Sequence, residues 1–135
     1  MADGRALIED IIGRSAAGFI APAWLYGDGA RAALRQAGFA LAEDHMRVWR
    51  PDDGTVLARG PVLTWASRST LRTASSLAVA ALGRHALRTL PTVRIAVHPG
   101  DISKRSIVAS IDATVRRLRA THRPARYAEL DGVRA

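Results

Sequence analysis

The chain has 135 residues, of which 48% are hydrophobic and 24% are charged, and it contains no cysteine. This length predicts a single domain with a core of its own, and the composition excludes disordered and fibrous proteins. The lack of cysteine excludes disulfides and thiolate metal sites. No apolar run approaches the roughly 20 residues of a membrane-spanning helix, and no signal-peptide core follows the N-terminus, so we expect a cytoplasmic protein.

The formal charge of +8 makes nucleic acid or another acidic partner a natural candidate. However, Lys104 is the only lysine, and the arginines are scattered from Arg5 to Arg134, which is typical of the coding bias of a GC-rich genome. Aromatic residues make up only 5% of the chain, so stacking platforms for single strands are scarce. We therefore do not expect nucleic acid to be the main partner.

Apolar spacing and turn residues predict an alternation of helices and strands in the first half of the chain. Leu7, Ile8, Ile11 and Ile12 form one apolar stripe of a helix over residues 3–14. The elements that follow are a strand over 18–21, a helix over 28–37 capped by Asp28 and ended by Gly38, a strand over 39–41, and a hairpin over 45–58 that turns at 50–54.

The second half of the chain continues the same alternation. The predicted elements are a strand over 62–65, a helix over 70–90, a strand over 92–97, a helix over 104–121 with Ser103 as its N-cap, a strand over 125–130, and a flexible tail over 131–135. This order predicts an α/β fold with mostly parallel strands and one hairpin insertion. Because the chain starts on a helix, we expect a first strand of the sheet to be missing from it.

Three predicted strands end in residues that suit a binding site. His98 follows an apolar strand that Pro99 and Gly100 end at once, while Trp24 and Trp65 follow two other strands. Ligands of parallel α/β sheets bind outside the carboxyl ends of the strands. We therefore expect these three strand ends to form one composite pocket, the alternative being a histidine bonded to its loop and aromatic rings that only pack.

The segment after the first strand adds two more candidates. Pro22 makes the turn, and Trp24 and Tyr26 would form an apolar wall with polar tips for a ligand. A second cluster, Glu43 and Asp44 with His45, has the residue types of a metal site. Since no further ligand is near in sequence, we prefer a solvated strand end there and expect no tight zinc site.

Four stretches of the chain together resemble a known family. They are residues 18–24 (GFIAPAW), residues 33–39 (ALRQAGF), Thr64-Trp65, and residues 95–101 (IAVHPGD). These stretches resemble the C-terminal half of the polysaccharide deacetylase family, and the resemblance covers residues 5–130. It is closest to bacterial polysaccharide-deacetylase-like proteins of unassigned substrate.

The resemblance implies a distorted (β/α) barrel that removes acyl groups from N-acetylated sugars with a divalent metal, usually zinc. It implies His98 as the proton donor to the leaving amine, a general-acid role that imidazole can fill. It also implies Trp24 and Trp65 as substrate-pocket walls, and we add Pro22 and Tyr26 as substrate-binding candidates. The partner would be an N-acylated sugar or glycan, with no membrane involved.

Two motifs of the family are absent and one is altered. The Asp-Asp and His-x-x-x-His motifs supply the catalytic base and the metal ligands in the N-terminal half of the family. Here Asp52-Asp53 lies in a predicted turn, and the histidines never recur at short spacing. The family's Arg-x-Pro-aromatic motif keeps Pro22 and Trp24 but lacks the arginine.

We therefore predict a truncated domain over residues 1–130, a partial barrel of the deacetylase type that holds no cofactor itself and is inactive alone. Its open flank predicts poor stability or a homo-oligomer that covers it. The alternative is a small non-enzymatic α/β domain that binds an acidic partner or nucleic acid.

Overall fold

The computed structural model describes residues 2–131, which form two compact units. Unit 1 contains the chain up to Arg59 and the segment from Arg126, and unit 2 is Gly60–Ala125. The helices are α1 (Ala2–Ile12), α2 (Asp28–Ala37), α3 (Thr70–Ala86), α4 (Arg105–Arg119) and α5 (Tyr127–Asp131). The strands are β1 (Gly18–Ile20), β2 (Leu41–Glu43), β3 (Arg47–Trp49), β4 (Val56–Arg59), β5 (Val62–Thr64) and β6 (Arg94–Ala96).

Unit 1 is built on a four-stranded sheet in the order β1-β2-β3-β4. Strand β2 is parallel to β1 and antiparallel to β3, and β4 is antiparallel to β3. Successive strand residues face opposite sides of a sheet. Accordingly Ala42 and Trp49 pack with Leu34 of α2 on one side, while Leu41 and Val48 pack on the other, where Leu130 of α5 joins them.

Unit 2 is built on the parallel pair β5–β6. Its core joins Trp65, which follows β5, to Ala80 of α3 and Ile107 of α4. Helix α3 begins after Ser69, whose hydroxyl oxygen accepts a hydrogen bond from the backbone N–H of Arg72 at 3.3 Å. This is a β-α-β-α unit, the arrangement that parallel pairing requires.

The mixed α/β class and the hairpin are confirmed, and two other predictions are corrected. The strand pairings among residues 2–131 are two parallel and two antiparallel, so the sheet is not mostly parallel, and neither sheet closes on itself. The predicted strand over 125–130 is instead helix α5 from Tyr127. Leu130 of that helix packs on the β-sheet, and this tertiary contact outweighs the local pattern.

Several boundaries also differ from the predicted ones. Gly27 and not Asp28 is the N-cap of α2, and Lys104 and not Ser103 precedes α4, because the Ser103 hydroxyl donates to the Gly100 carbonyl. Strand β2 lies two residues later than predicted. Of the predicted tail over 131–135, residue Asp131 ends α5 and residues 132–135 lie outside the described part of the chain. The single domain over 1–130 stays a prediction. Among residues 2–131, no helix combines the length and apolarity needed to cross a membrane.

The turn from β2 to β3 depends on an ionised Asp44, which yields a pH prediction. Burial opposes ionisation of this carboxyl, but hydrogen bonds from the backbone N–H groups of Met46 and Arg47 and from the Arg47 side chain outweigh it and lower its pKa. A lowered pKa in the folded state stabilises the fold above the unfolded pKa and stops doing so as the pH falls through the folded one.

We therefore expect Asp44→Asn to lower the melting temperature at neutral pH, because the amide keeps an acceptor for the turn but loses the ion pair with Arg47. Because the pKa of Asp44 is lowered in the folded state, the difference in melting temperature between the two proteins should shrink as the pH falls from neutral to about 2. A gap of constant size across this range would contradict the role given to the charge.

Candidate functional site

The predicted position of His98 after a parallel strand is confirmed. Strand β6 pairs in parallel with β5, with Thr64 opposite Ala96. Trp65 and His98 therefore both follow the carboxyl ends of this pair, within unit 2. This edge is where parallel sheets bind ligands, and the structure brings these two predicted residues to it.

The carboxylate of Asp101 lies beside His98. The backbone N–H of His98 donates to Oδ2 of Asp101 at 2.9 Å, and Nδ1 of the ring lies 3.6 Å from the same oxygen. The Asp101 side chain is 1% exposed, whereas the His98 side chain is 57% exposed. The buried carboxylate of Asp101 therefore lies on the Nδ1 side of the exposed ring. Sequence reasoning missed Asp101, although its spacing of three from a strand-end residue is a capping signal.

The loops that follow β5 and β6 touch each other at this edge. A Cβ built on Gly100 would lie 3.0 Å from Oγ of Ser67, so glycine permits the close approach. The ammonium of Lys104 donates to the hydroxyl of Thr73 at 2.8 Å, which links the start of α4 to α3. This edge therefore carries the exposed imidazole of His98 and the buried carboxylate of Asp101, with the Ser67 hydroxyl close to Gly100.

Trp65 is buried beside this site. Its side chain packs with Ile107 and Ala80, the residue is 4% exposed, and its Nε1–H donates to Oγ of Ser110 on α4 at 3.1 Å. The ring thus fixes the end of β5 against the helices. The structure gives the Trp65 ring a packing role, and its role in substrate binding stays a prediction.

The loop after β1 in unit 1 holds Trp24 in an unusual conformation. Ala23 and Trp24 have φ of 54° and 57°, in a short 3-10 turn that Pro22 begins. Non-glycine residues adopt this region rarely, and the surrounding contacts have to hold them there. The contacts here include the backbone hydrogen bond from Trp24 N–H to the Ala21 carbonyl at 2.9 Å and the hydrogen bond from Nε1 of Trp24 to Oε1 of Glu43 at 2.8 Å. The ring of Trp24 also lies 5.0 Å from that of His45, centroid to centroid.

The expectation that Glu43 lies at a solvated strand end is wrong. Glu43 is 2% exposed, and its carboxylate accepts hydrogen bonds from Trp24 and from the hydroxyl of Tyr127 on α5. A buried carboxylate needs such donors. Tyr127 joins this cluster from the far end of the chain, so local sequence carried no signal for it.

The hydroxyl group of Tyr26 forms hydrogen bonds within the protein. Its hydroxyl donates to the backbone carbonyl of Glu43 at 2.7 Å and accepts from the backbone N–H of Ala21 at 3.0 Å. Burial raises the pKa of this phenol, and the hydrogen bonds oppose the shift only in part. Tyr26 thus joins the ends of β1 and β2, and its role as a substrate contact stays a prediction.

The structure places the candidates at three strand ends in two units: Trp65 after β5 and His98 after β6 in unit 2, and Pro22, Trp24 and Tyr26 after β1 in unit 1. The composite pocket of Trp24, Trp65 and His98 stays a prediction. Within residues 2–131, no three histidine or acidic side chains are grouped as metal ligands. The expectation of no tight zinc site also stays a prediction, to be checked by elemental analysis of the chelator-washed protein.

Comparison with protein-family models, with curated proteins and with solved structures finds no match to this chain.

Proposed function

We propose that this chain is the C-terminal half of a polysaccharide-deacetylase-like hydrolase, in which His98 gives the proton to the leaving amine of an N-acylated sugar. The observation that carries the proposal is the exposed ring of His98 beside the buried carboxylate of Asp101, at the carboxyl ends of two parallel strands. The proposal includes the (β/α) barrel of that family, to which β1, β2, β5 and β6 would contribute their parallel pairs.

The chemistry explains why a histidine is needed. In the hydrolysis of an amide, a water oxygen bonds to the acyl carbon and the C–N bond breaks. The nitrogen would leave as a poor amide anion unless it takes a proton at that moment. The imidazolium of His98 would supply this proton, the carboxylate of Asp101 lies beside its Nδ1, and the exposure of the ring admits the substrate.

The divalent metal of the family does not fit the residues described here. A metal site needs three or more grouped ligands, and residues 2–131 contain no such group of histidine and acidic side chains. No step of the proposal therefore runs through a metal. Attack by water is assigned to the N-terminal half of the family fold, and a chain without that half is proposed to be inactive alone and to self-associate over its open flank.

The first experiment reads the DNA upstream of Met1 and expresses the chain with that extension. The proposal expects an in-phase or frameshifted stretch with Asp-Asp and His-x-x-x-His motifs, and release of acetate from N-acetylglucosamine oligomers by the extended protein. His98→Gln should then lower kcat by about 10²- to 10⁴-fold, the usual contribution of a general acid. Asp101→Asn should lower it less, because the proton donor remains.

His85→Gln is the matched control, since His85 is also exposed but lies at the end of α3. It should leave kcat unchanged. A second readout separates proton donation from a structural effect. An O-acetyl aryl ester has a leaving group that needs no proton, so its hydrolysis should be nearly insensitive to His98→Gln. The proposal fails if upstream DNA encodes neither motif, or if the variant loses both reactions equally.

The alternative of a non-enzymatic binding domain predicts a different behaviour for the chain as it stands. A monomer in light scattering with one cooperative melt above about 60 °C, which is high for a mesophilic domain, would favour it. Oligomerisation or a low melting temperature would support the deacetylase half.

A further inference from the structure

Unit 1 contains a cavity that the proposed function does not use. It has a volume of about 290 Å³ and lies between α2 and the turn from β3 to β4. Arg31, Arg35 and Arg47 line it, and its apolar wall is formed by Leu34 and Trp49, which are 1% and 6% exposed. We call this cavity the arginine groove. Its size lies just below the range of ligand pockets, which starts at about 300 Å³.

Arg31 is fixed in place without using its hydrogen-bond donors. Its guanidinium carbon lies 5.5 Å from the ring centroid of Trp49 and 5.7 Å from that of Tyr26. Among the residues that the structure describes, the guanidinium groups of Arg31 and Arg35 make no hydrogen bond or ion pair. A guanidinium held by stacking keeps its N–H fork available, and this fork matches a carboxylate or a phosphate.

Arg47 completes the basic side of the groove. It lies over Trp49 at 5.1 Å, and its Nε donates to Asp44 at 3.0 Å, so its position is determined by two contacts. Arg31 and Arg35 are one helical turn apart on α2 and therefore lie on the same face. The two guanidinium groups of Arg31 and Arg35 border an apolar wall, and this combination indicates an anionic ligand with a small organic body.

The opposite side of the groove is acidic. Asp52 and Asp53 line it, and each carboxylate accepts one backbone N–H of the turn, from Asp53 and Thr55 respectively, at 2.8 Å. Carboxylate oxygens have further lone pairs, which accept from hydroxyl or ammonium groups. They also repel a polyanion. This side therefore favours a small ligand with hydrogen-bond donors over a nucleic acid backbone.

We propose that the arginine groove binds a small hydroxylated molecule carrying one carboxylate or phosphate group. The anionic group would bind Arg31 and Arg35, and the hydroxyls would face Asp52 and Asp53. This site is independent of His98 and of the proposed hydrolysis. A carboxylate and a phosphate can both accept hydrogen bonds from a guanidinium group. The experiment below distinguishes between the two.

The test is calorimetric titration of the purified chain at low ionic strength with three probes: glucuronate, glucose 6-phosphate and inorganic phosphate. We expect one of the two sugar anions to bind more tightly than inorganic phosphate, and the tighter one identifies the anion. Arg35→Gln should weaken its binding by about tenfold, the effect of one charge-assisted hydrogen bond. Because Arg35 is exposed and unpaired among the described residues, the variant should melt like the parent.

Arg119→Gln is the matched control, since it removes the same charge from an exposed position near the end of α4. It should leave binding unchanged. The proposal is overturned if none of the probes binds at millimolar concentration. It is also overturned if inorganic phosphate binds as tightly as both sugar anions, or if the two arginine variants weaken binding equally, which would indicate only the general positive charge of the chain.

Discussion

We expect a Gly60→Ala variant to lose the pairing of β5 with β6 and at least about 3 kcal/mol of stability, an effect in the upper range for single substitutions. Gly60 has φ of 155°, and a Cβ at this position would lie 2.0 Å from the carbonyl oxygen of Thr92. The obstacle is backbone, which cannot rotate away. The Gly60 carbonyl also accepts from the guanidinium of Arg94 at 2.7 Å, a buried contact that would shift with it.

Urea unfolding of the two proteins checks this expectation. Gly29→Ala is the control, because nothing lies within 4 Å of a Cβ there and the position is in α2. Alanine should stabilise the helix at that position by up to about 1 kcal/mol. A Gly60→Ala protein that unfolds at the same urea concentration as the parent would contradict the close approach of the two strands.

The second large effect concerns Trp65. Removing a buried tryptophan side chain typically costs about 3–5 kcal/mol, from lost burial and the cavity left behind. We expect Trp65→Ala to lose stability on this scale, because the residue is 4% exposed in the core of unit 2. Trp65→Phe should lose less, since it keeps a ring but leaves the Ser110 hydroxyl without its donor.

The same variants separate packing from substrate binding. If Trp65 were mainly a pocket wall open to solvent, Trp65→Ala would bind substrate poorly but unfold like the parent. Chemical unfolding monitored by circular dichroism measures the difference. Trp24→Ala serves for comparison. Because Trp24 is only half-buried, its removal should cost less stability.

Only some features of the strand-end site could be predicted from the sequence. The position of His98 was predictable, because Pro99 and Gly100 stop a β-branched strand and the preceding helix implies parallel pairing. Its neighbour Asp101 could have been found from its spacing of three residues. The burial of Trp65 could not, because an apolar ring at a strand end fits a core and a pocket equally well.

The surroundings of the acidic cluster of unit 1 could not be predicted from the sequence. Glu43, Asp44 and His45 look like any polar strand end in sequence. Only folding brings Tyr127 to Glu43 from 84 positions away and aims the indole N–H of Trp24 at the same carboxylate. Tyr127 belongs to a segment whose short apolar pattern suits strand and helix alike.

By itself, the sequence determined the elements whose signals are local. Helix α2 has its predicted bounds, since its alanine-rich face and the left-handed Gly38 at its end act within a few residues. Only the tertiary structure decided the mixed pairing of the four-stranded sheet, the helical form of α5, the burial of Glu43 and the grouping of three arginines around one cavity. These features depend on contacts between residues distant in the chain, and their free energy comes from burial and pairing that no local pattern encodes.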